Sequence, residues 1–116
     1  MRVADLSKKW SKLVKSLTSD FGKGETLNLA GILFLIGVQE LGKGSNKFNK
    51  TQKVEIIHIA ICCLLSSYGY YTYLGVDKDG WPHYELNKKM PFLSIGQQDF
   101  LLKEAIINYF EAEKAN

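Results

Sequence analysis

The sequence predicts a mainly α-helical fold: a compact domain of four helices, with a two-stranded β-hairpin between the third and the fourth helix. Three observations lead to this prediction. Apolar residues recur every three or four positions in four segments. An Asp-Gly turn signal separates two runs of strand-forming residues. The length of 116 residues and the hydrophobic content of 46% are typical of one small globular domain. We therefore expect residues 1–116 to form a single domain.

The first helix is predicted over residues 3–20 and is amphipathic. Its apolar stripe consists of residues spaced by three and four, namely Leu6, Trp10, Leu13, Val14 and Leu17. Lysines cover much of the remainder, and a candidate partner surface consists of Trp10, Lys8, Lys12 and Lys15. A basic amphipathic helix can lie on a membrane or dock on an acidic partner. The ordinary width of the stripe favours a surface helix that covers its own core.

The remaining helices are predicted over residues 27–41, 50–67 and 95–113. Thr26 is the expected N-cap of the second helix. The pair Asn49 and Gln52 and the pair Ser94 and Gln97 both have the spacing of a capping box, which starts the third and the fourth helix. The second helix is apolar around its whole circumference, which is typical of a buried core helix.

Neither of the two uncharged segments predicts a transmembrane helix. Residues 27–38 are uncharged, but they are fewer than the roughly 20 residues that a span requires. Residues 56–76 are long enough, but serine, glycine and threonine fill the second half of that run. An integral membrane protein is therefore not expected.

An aromatic hairpin is predicted over residues 70–86, because strand-forming runs flank the turn signal Asp79-Gly80. Two strands alone are marginally stable in water, so this hairpin has to pack on the helices. Trp81, Pro82 and Tyr84 form a rigid, amphipathic surface of the kind that anchors a protein partner. The alternative is that Trp81 folds back to cover the core.

The formal net charge is +3, and its distribution along the chain is uneven. Residues 1–53 contain ten cationic and four anionic side chains, whereas residues 54–116 contain five cationic and eight anionic ones. This asymmetry indicates either two solvated faces of opposite sign or a basic surface that meets an acidic partner. Arg2 is the only arginine. Because phosphate and base recognition favours the planar fork of arginine, nucleic acid is not an expected partner.

The cysteine pattern predicts a reducing compartment. Cys62 and Cys63 are adjacent, and on one helix their side chains point about 100° apart, so they cannot close an ordinary disulfide with each other. The N-terminal residues also lack the apolar core of a signal peptide. We therefore expect a cytoplasmic protein.

One cluster of polar residues is a candidate site. Glu55, His58 and Cys62 fall at positions i, i+3 and i+7 of the third helix and stack along one face. Glu40 on the second helix and His83 on the hairpin can complete a set of ligands suited to zinc. A second possibility is a Cys62 nucleophile with His58 as its base. The alternative to both is a histidine and a cysteine that are satisfied by ordinary partners in the interior.

Three segments carry a resemblance to known sequences: Phe-Leu-Ile-Gly-Val-Gln-Glu-Leu-Gly at 34–42, His-Ile-Ala-Ile-Cys at 58–62 and Asp-Lys-Asp-Gly-Trp-Pro-His-Tyr at 77–84. They resemble a group of short bacterial proteins to which no activity is assigned. The similarity extends over roughly residues 27–112. The resemblance implies a bacterial, cytoplasmic setting and carries over no catalytic residue.

These observations lead to three functional hypotheses. The first is a small non-enzymatic interaction or assembly protein that forms a homo-oligomer, because the second and third helices are more apolar than a monomer of this size easily covers. The second is a metal-dependent or thiol enzyme that uses the Glu, His and Cys cluster, with zinc as its cofactor. The third is a membrane-peripheral adaptor that uses the basic first helix.

Overall fold

A computed structural model of the chain describes residues 2–42, 47–87 and 94–115. In chain order the elements are α1 (Val3–Phe21), α2 (Leu29–Leu41), α3 (Lys50–Ser66), β1 (Tyr71–Val76), β2 (Pro82–Leu86) and α4 (Ile95–Ala115). The predicted fold class, mainly helical with a hairpin between the third and fourth helix, is confirmed. The predicted helix starts are confirmed except for α2, which begins two residues late and leaves Thr26 in the preceding loop.

The chain divides into two units by its internal packing. One consists of Met1–Asn28 with Pro91–Asn116, and the other of Leu29–Met90. In the first unit α1 packs against α4. The predicted stripe of α1 is covered, because Leu6 and Leu17 are buried and Trp10, Leu13 and Val14 are half-buried. The single domain over residues 1–116 stays a prediction.

The second unit is built on the contact between α2 and α3. Its buried residues are Ile32, Leu33, Ile36, Gly37 and Leu41 from α2, and Ile56, Ile59, Ala60, Cys62, Leu64 and Leu65 from α3. At Gly37 the two helices come so close that an added Cβ would fall on the carbonyl oxygen of Ile56 and lie 2.5 Å from its Cγ2. Only a residue without a side chain allows this approach.

Both predicted capping boxes are present. The side chain of Asn49 accepts a hydrogen bond from the Gln52 amide at 2.8 Å, and Gln52 Oε1 accepts one from the Asn49 amide at 3.0 Å. Ser94 and Gln97 make the same reciprocal pair at 3.2 and 2.9 Å. Each box satisfies amide groups that the first turn of a helix leaves without a partner, which fixes where α3 and α4 begin.

The hairpin is antiparallel, with Tyr71 opposite Leu86 and Tyr73 opposite Tyr84. The register shifts between Tyr73 and Gly75, so Leu74 forms a bulge. Both strands contact α3, which confirms the prediction that the hairpin packs on the helices. In the parts of the chain that the structure describes, no helix is both long and apolar enough to cross a bilayer.

The close approach at Gly37 generates a first prediction. The change Gly37→Ala forces α2 away from α3 and should lower the free energy of unfolding by about 1–3 kcal/mol, as expected for overpacking a tight contact. Gly96→Ala is the matched control, because nothing lies within 4 Å of a Cβ at that helical position. It should be neutral or stabilising by up to about 1 kcal/mol. Urea titration followed by circular dichroism measures both; equal effects would contradict the packing described here.

Candidate functional site

The polar cluster of the second unit lies where the hairpin covers α3. The two adjacent cysteines point to different tyrosines of the hairpin, because successive side chains on a helix diverge by about 100°. Cys62 shares a hydrogen bond with Tyr71 of β1, and Cys63 shares one with Tyr84 of β2. Each strand is therefore joined to α3 by one tyrosine–thiol contact.

Cys62 is buried and lies against the ring of His58 on the preceding turn. Its Sγ is 3.6 Å from His58 Nε2 and 3.8 Å from Nδ1. The edge of Tyr71 also meets the His58 ring, with centroids 6.4 Å apart and planes at 88°. Burial raises the pKa of the Cys62 thiol to about 11, and the hydrogen bond from Tyr71 offsets only part of this rise.

Cys63 is half-buried and donates a hydrogen bond to Glu40 of α2, with Sγ 3.0 Å from Oε1. Burial raises the pKa of the Cys63 thiol to about 12, and the hydrogen bond and negative charge of Glu40 add to that rise. Burial and the neighbouring Cys63 also raise the pKa of Tyr84. The Glu40, Cys63 and Tyr84 side chains thus connect α2, α3 and β2 with all donors protonated at neutral pH.

These pKa shifts bear on the hypothesis of a thiol enzyme. A cysteine nucleophile acts as the thiolate, and reactive cysteines have a lowered pKa next to cationic groups. Here both thiols have a raised pKa, and the charged neighbour of Cys63 is a carboxylate. The arrangement therefore suits a structural contact and works against nucleophilic catalysis.

The five candidate metal ligands do not come together. Glu40 binds Cys63, and His83 Nε2 binds Asp77 Oδ2 at 2.9 Å. Glu55, His58 and His83 do line one open cleft, with a volume of about 760 Å³, between α3 and the hairpin turn. Within residues 2–42, 47–87 and 94–115, no three His, Cys, Asp or Glu side chains are placed to hold a metal ion. The described residues therefore give no support to zinc.

Asp77 organises the hairpin turn, a role that was not predicted from the sequence. Its Oδ1 accepts hydrogen bonds from the amides of Asp79 and Trp81 at 2.9 and 3.0 Å. The hydrogen bond with His83 lowers the pKa of the Asp77 carboxyl most, and the hydrogen bond from the Trp81 amide lowers it further. An aspartate that accepts from the amide two residues later is a known turn former, so its position just before Lys78-Asp79-Gly80 was an available signal.

The predicted partner surface on the hairpin is largely used inside the unit. Trp81 is half-buried and packs edge-on against Phe48, with centroids 6.5 Å apart, and Phe48 packs in the same way against Phe34 at 6.3 Å. Pro82 and Tyr84 are half-buried as well. The alternative considered from the sequence, a tryptophan that folds back over the interior, describes Trp81 better than a free anchor does.

In the first unit the predicted surface divides into two parts. Trp10 is half-buried and lies under Lys103, whose Nζ is 5.5 Å from the ring centroid. Lys8, Lys12 and Lys15 are exposed. The lysines are therefore available to a partner, whereas the indole ring is already in contact with α4.

The exposed apolar surface lies elsewhere on the hairpin. Four side chains are more than half exposed: Tyr73 at 55%, Leu74 at 61%, Val76 at 61% and Leu86 at 54%. The sequence predicted that Tyr73 is buried against the helices, and strict alternation does not show where a bulge interrupts a strand. For Tyr73, Leu74 and Val76 the available signal was their apolar character within an uncharged strand.

No protein family model, no curated protein and no solved structure matches this chain. The resemblance to a group of short bacterial proteins therefore stays a prediction.

The raised thiol pKa values generate a second prediction. In the folded protein, iodoacetamide should alkylate Cys62 and Cys63 much more slowly at pH 8.5 than it does in urea, because little thiolate forms below a pKa of about 11 to 12. Glu40→Gln removes the negative charge beside Cys63, lowers the pKa of its thiol and should speed its alkylation. Peptide mass spectrometry measures each site separately.

Glu55→Gln is the control for that experiment, because it removes an exposed carboxylate of the same helix that contributes nothing to the pKa of Cys63. It should leave both rates unchanged. A folded wild-type protein whose Cys63 reacts as fast as an unfolded peptide would contradict the structural role assigned to this thiol.

Proposed function

We propose that this protein is a non-enzymatic interaction protein that assembles with further copies of itself through the hairpin. The observation that carries this proposal is the exposed apolar surface of Tyr73, Leu74, Val76 and Leu86. The register makes Tyr73 and Leu86 diagonal neighbours on one face of the hairpin, and exposed apolar side chains that lie close together are typical of an interaction site. An aromatic residue with aliphatic neighbours is also the composition found in the centre of protein interfaces.

The polar cluster supports the same proposal, and it lies on the same face of the hairpin as Tyr73 and Leu86, which pair with Tyr84 and Tyr71. The tyrosine–thiol contacts of Tyr71 and Tyr84 fix the hairpin on α3, so its exposed apolar side chains are presented by a rigid element. A preorganised surface loses less conformational entropy on binding than a loose one does. Rigid presentation therefore favours a binding role for the hairpin.

A cytoplasmic, bacterial setting completes the proposal. Cys62 and Cys63 are both free thiols, which suits a reducing compartment because disulfides are rare there. The bacterial origin rests on the resemblance of three sequence segments alone.

A second candidate function is supported by α1. Lys8, Lys12 and Lys15 are exposed, and their spacing of four and three places them on one face of the helix. Because Leu6 and Leu17 on the apolar stripe are buried within the chain, that stripe is not available for insertion into a membrane. The candidate is therefore an adaptor that binds an anionic membrane surface through charge alone.

Self-association generates a third prediction. Light scattering across a concentration series should show a mass above the 13.1 kDa of one chain. The double variant Leu74→Ser with Val76→Ser should weaken association by about tenfold or more, since removing two apolar contacts costs at least the 1.4 kcal/mol that corresponds to this factor. A wild-type protein that stays monomeric at every concentration would contradict the proposal.

The matched control is the double variant Val3→Ser with Ile95→Ser. It removes two apolar side chains that are even more exposed, at 70% and 87%, but that lie on α1 and α4 of the other unit. Self-association of this variant should equal that of the wild type. An equal loss in both double variants would show that general surface hydrophobicity, rather than the hairpin, drives association.

The lysine face generates a fourth prediction. The protein should sediment with vesicles that contain phosphatidylserine at low salt and should be released as the salt concentration rises, because exposed charges are screened. The triple variant Lys8→Glu, Lys12→Glu and Lys15→Glu should not sediment. Binding that persists in high salt, or in this variant, would contradict a purely electrostatic adaptor.

A further inference from the structure

We propose that the second copy binds at the free edge of β1, where two β1 strands pair antiparallel across a twofold axis at Thr72 and join two hairpins into a four-stranded sheet. This inference rests on the proposed self-association and specifies its geometry. The structure describes a sheet of two strands, so each strand has one edge that is not paired with the other. Such an edge presents backbone donors and acceptors that can pair with another strand.

The backbone direction of β1 follows from its pairing with β2. The Asn87 amide donates to the Tyr70 carbonyl at 3.0 Å, and the register places Tyr71 opposite Leu86. In an antiparallel pair, hydrogen-bonded and non-hydrogen-bonded positions alternate. Thr72 is therefore at a hydrogen-bonded position, and the N–H and C=O groups of Tyr71 and Tyr73 point away from β2 to the free edge.

This pattern is complementary to itself. When β1 pairs with a second β1 about Thr72, Tyr71 of the first copy lies opposite Tyr73 of the second. Tyr73 of the first copy then lies opposite Tyr71 of the second, on the other side of the axis. Both residues direct their backbone groups to the free edge, so each pair exchanges two hydrogen bonds and the dimer gains four. The two tyrosine–tyrosine pairs add favourable cross-strand aromatic contacts.

The two strands differ in how well their edges are protected. Natural sheets protect an edge with charges, with proline or with a bulge. Strand β2 contains Pro82, His83 and Glu85, whereas β1 contains neither charge nor proline. The bulge at Leu74 interrupts β1 only after Tyr73, so the segment around Thr72 stays regular. The unprotected edge is therefore that of β1.

The packing of the second unit leaves the same edge open. Tyr84 of β2 bonds to Cys63 of α3 and lies close enough to the Glu40 carboxylate of α2 to feel its charge, whereas Tyr71 of β1 contacts Cys62 and His58 of α3. Strand β2 therefore lies on the side of α2 and β1 on the far side. Thr72, Tyr73 and Leu74, in the middle of β1, are all exposed.

A second copy suits this edge, because β1 carries no charge that would meet its own copy. Pairing β1 with itself opposes Tyr, Thr and Tyr with Tyr, Thr and Tyr, so no like charges meet and no charge is desolvated. It also changes a sheet of two strands, which is marginal in water, into one of four strands. Both copies gain equally, as a twofold interface requires.

Residue Thr72 provides the test, because the proposed axis places it opposite its own copy. Thr72→Lys should weaken the dimer by about twofold to fivefold, and so should Thr72→Glu, since each brings two like charges together. An equimolar mixture of the two variants should form a heterodimer about as tight as the wild type, because opposite charges then meet. Thr72→Val should dimerise normally, which controls for the lost hydrogen bond from Thr72 to Asn87.

The matched control is Glu85→Lys, which changes the residue directly opposite Thr72 on β2 and should leave the dimer intact. Hydrogen exchange of the wild-type protein gives a second measurement that needs no variant. Protection of the Tyr71 and Tyr73 amides should rise with protein concentration by more than that of the Asn87 amide, which is already bonded within the hairpin and gains only from the added stability of the sheet.

The outcomes separate the two proposals. A wild-type protein that is monomeric at every concentration contradicts the proposed function and this inference together. A dimer that forms equally well in Thr72→Lys, with Tyr71 and Tyr73 amides that exchange independently of concentration, overturns the inference alone. If the charged variants fail to fold by circular dichroism, the concentration dependence of those two amides in the wild type decides.

Discussion

The close approach of α2 and α3 at Gly37 is the constraint on which the unit Leu29–Met90 depends. The absence of a side chain there brings the α2 backbone against Ile56, and this contact fixes how the two helices cross. The crossing in turn places Glu40, at the end of α2, beside Cys63 of α3. The arrangement of α2 and α3 beneath the hairpin therefore depends on Gly37 and on the large residues buried on either side of it.

The hairpin depends on its packing against α3, because a sheet of two strands has too little packing to be stable alone. Tyr71 and Tyr84 join it to the two adjacent cysteines of α3, and Trp81 joins its turn to Phe48. The raised pKa values of both thiols are a consequence of this covered position. Cys62, which first suggested metal or thiol chemistry, and its neighbour Cys63 thus act as protonated thiols that help to hold the hairpin in place.

The features that the sequence predicted correctly are local ones. Capping boxes at Asn49 and Ser94 and the hairpin after α3 depend on residues within a few positions of one another, so spacing alone identifies them. The polar cluster depends on how helices cross, and periodicity does not contain that information. Periodicity placed Cys62 on the same face of α3 as Glu55. It did not show that the glutamate in contact with a cysteine is Glu40 of α2, or that this cysteine is Cys63. The bulge at Leu74 likewise cannot be read from alternation.

Native-state hydrogen exchange, measured at a concentration where the protein is monomeric, tests most directly whether the helices hold the hairpin. The Asn87 amide bonds to Tyr70 within the hairpin, and the amide of Ala60 lies in the buried part of α3. If the hairpin is stable only through its packing on α3, both amides should exchange with similar opening free energies, because they open in one cooperative step. Rapid exchange at Asn87 while Ala60 stays protected would show that the hairpin opens on its own, and would contradict the dependence described here.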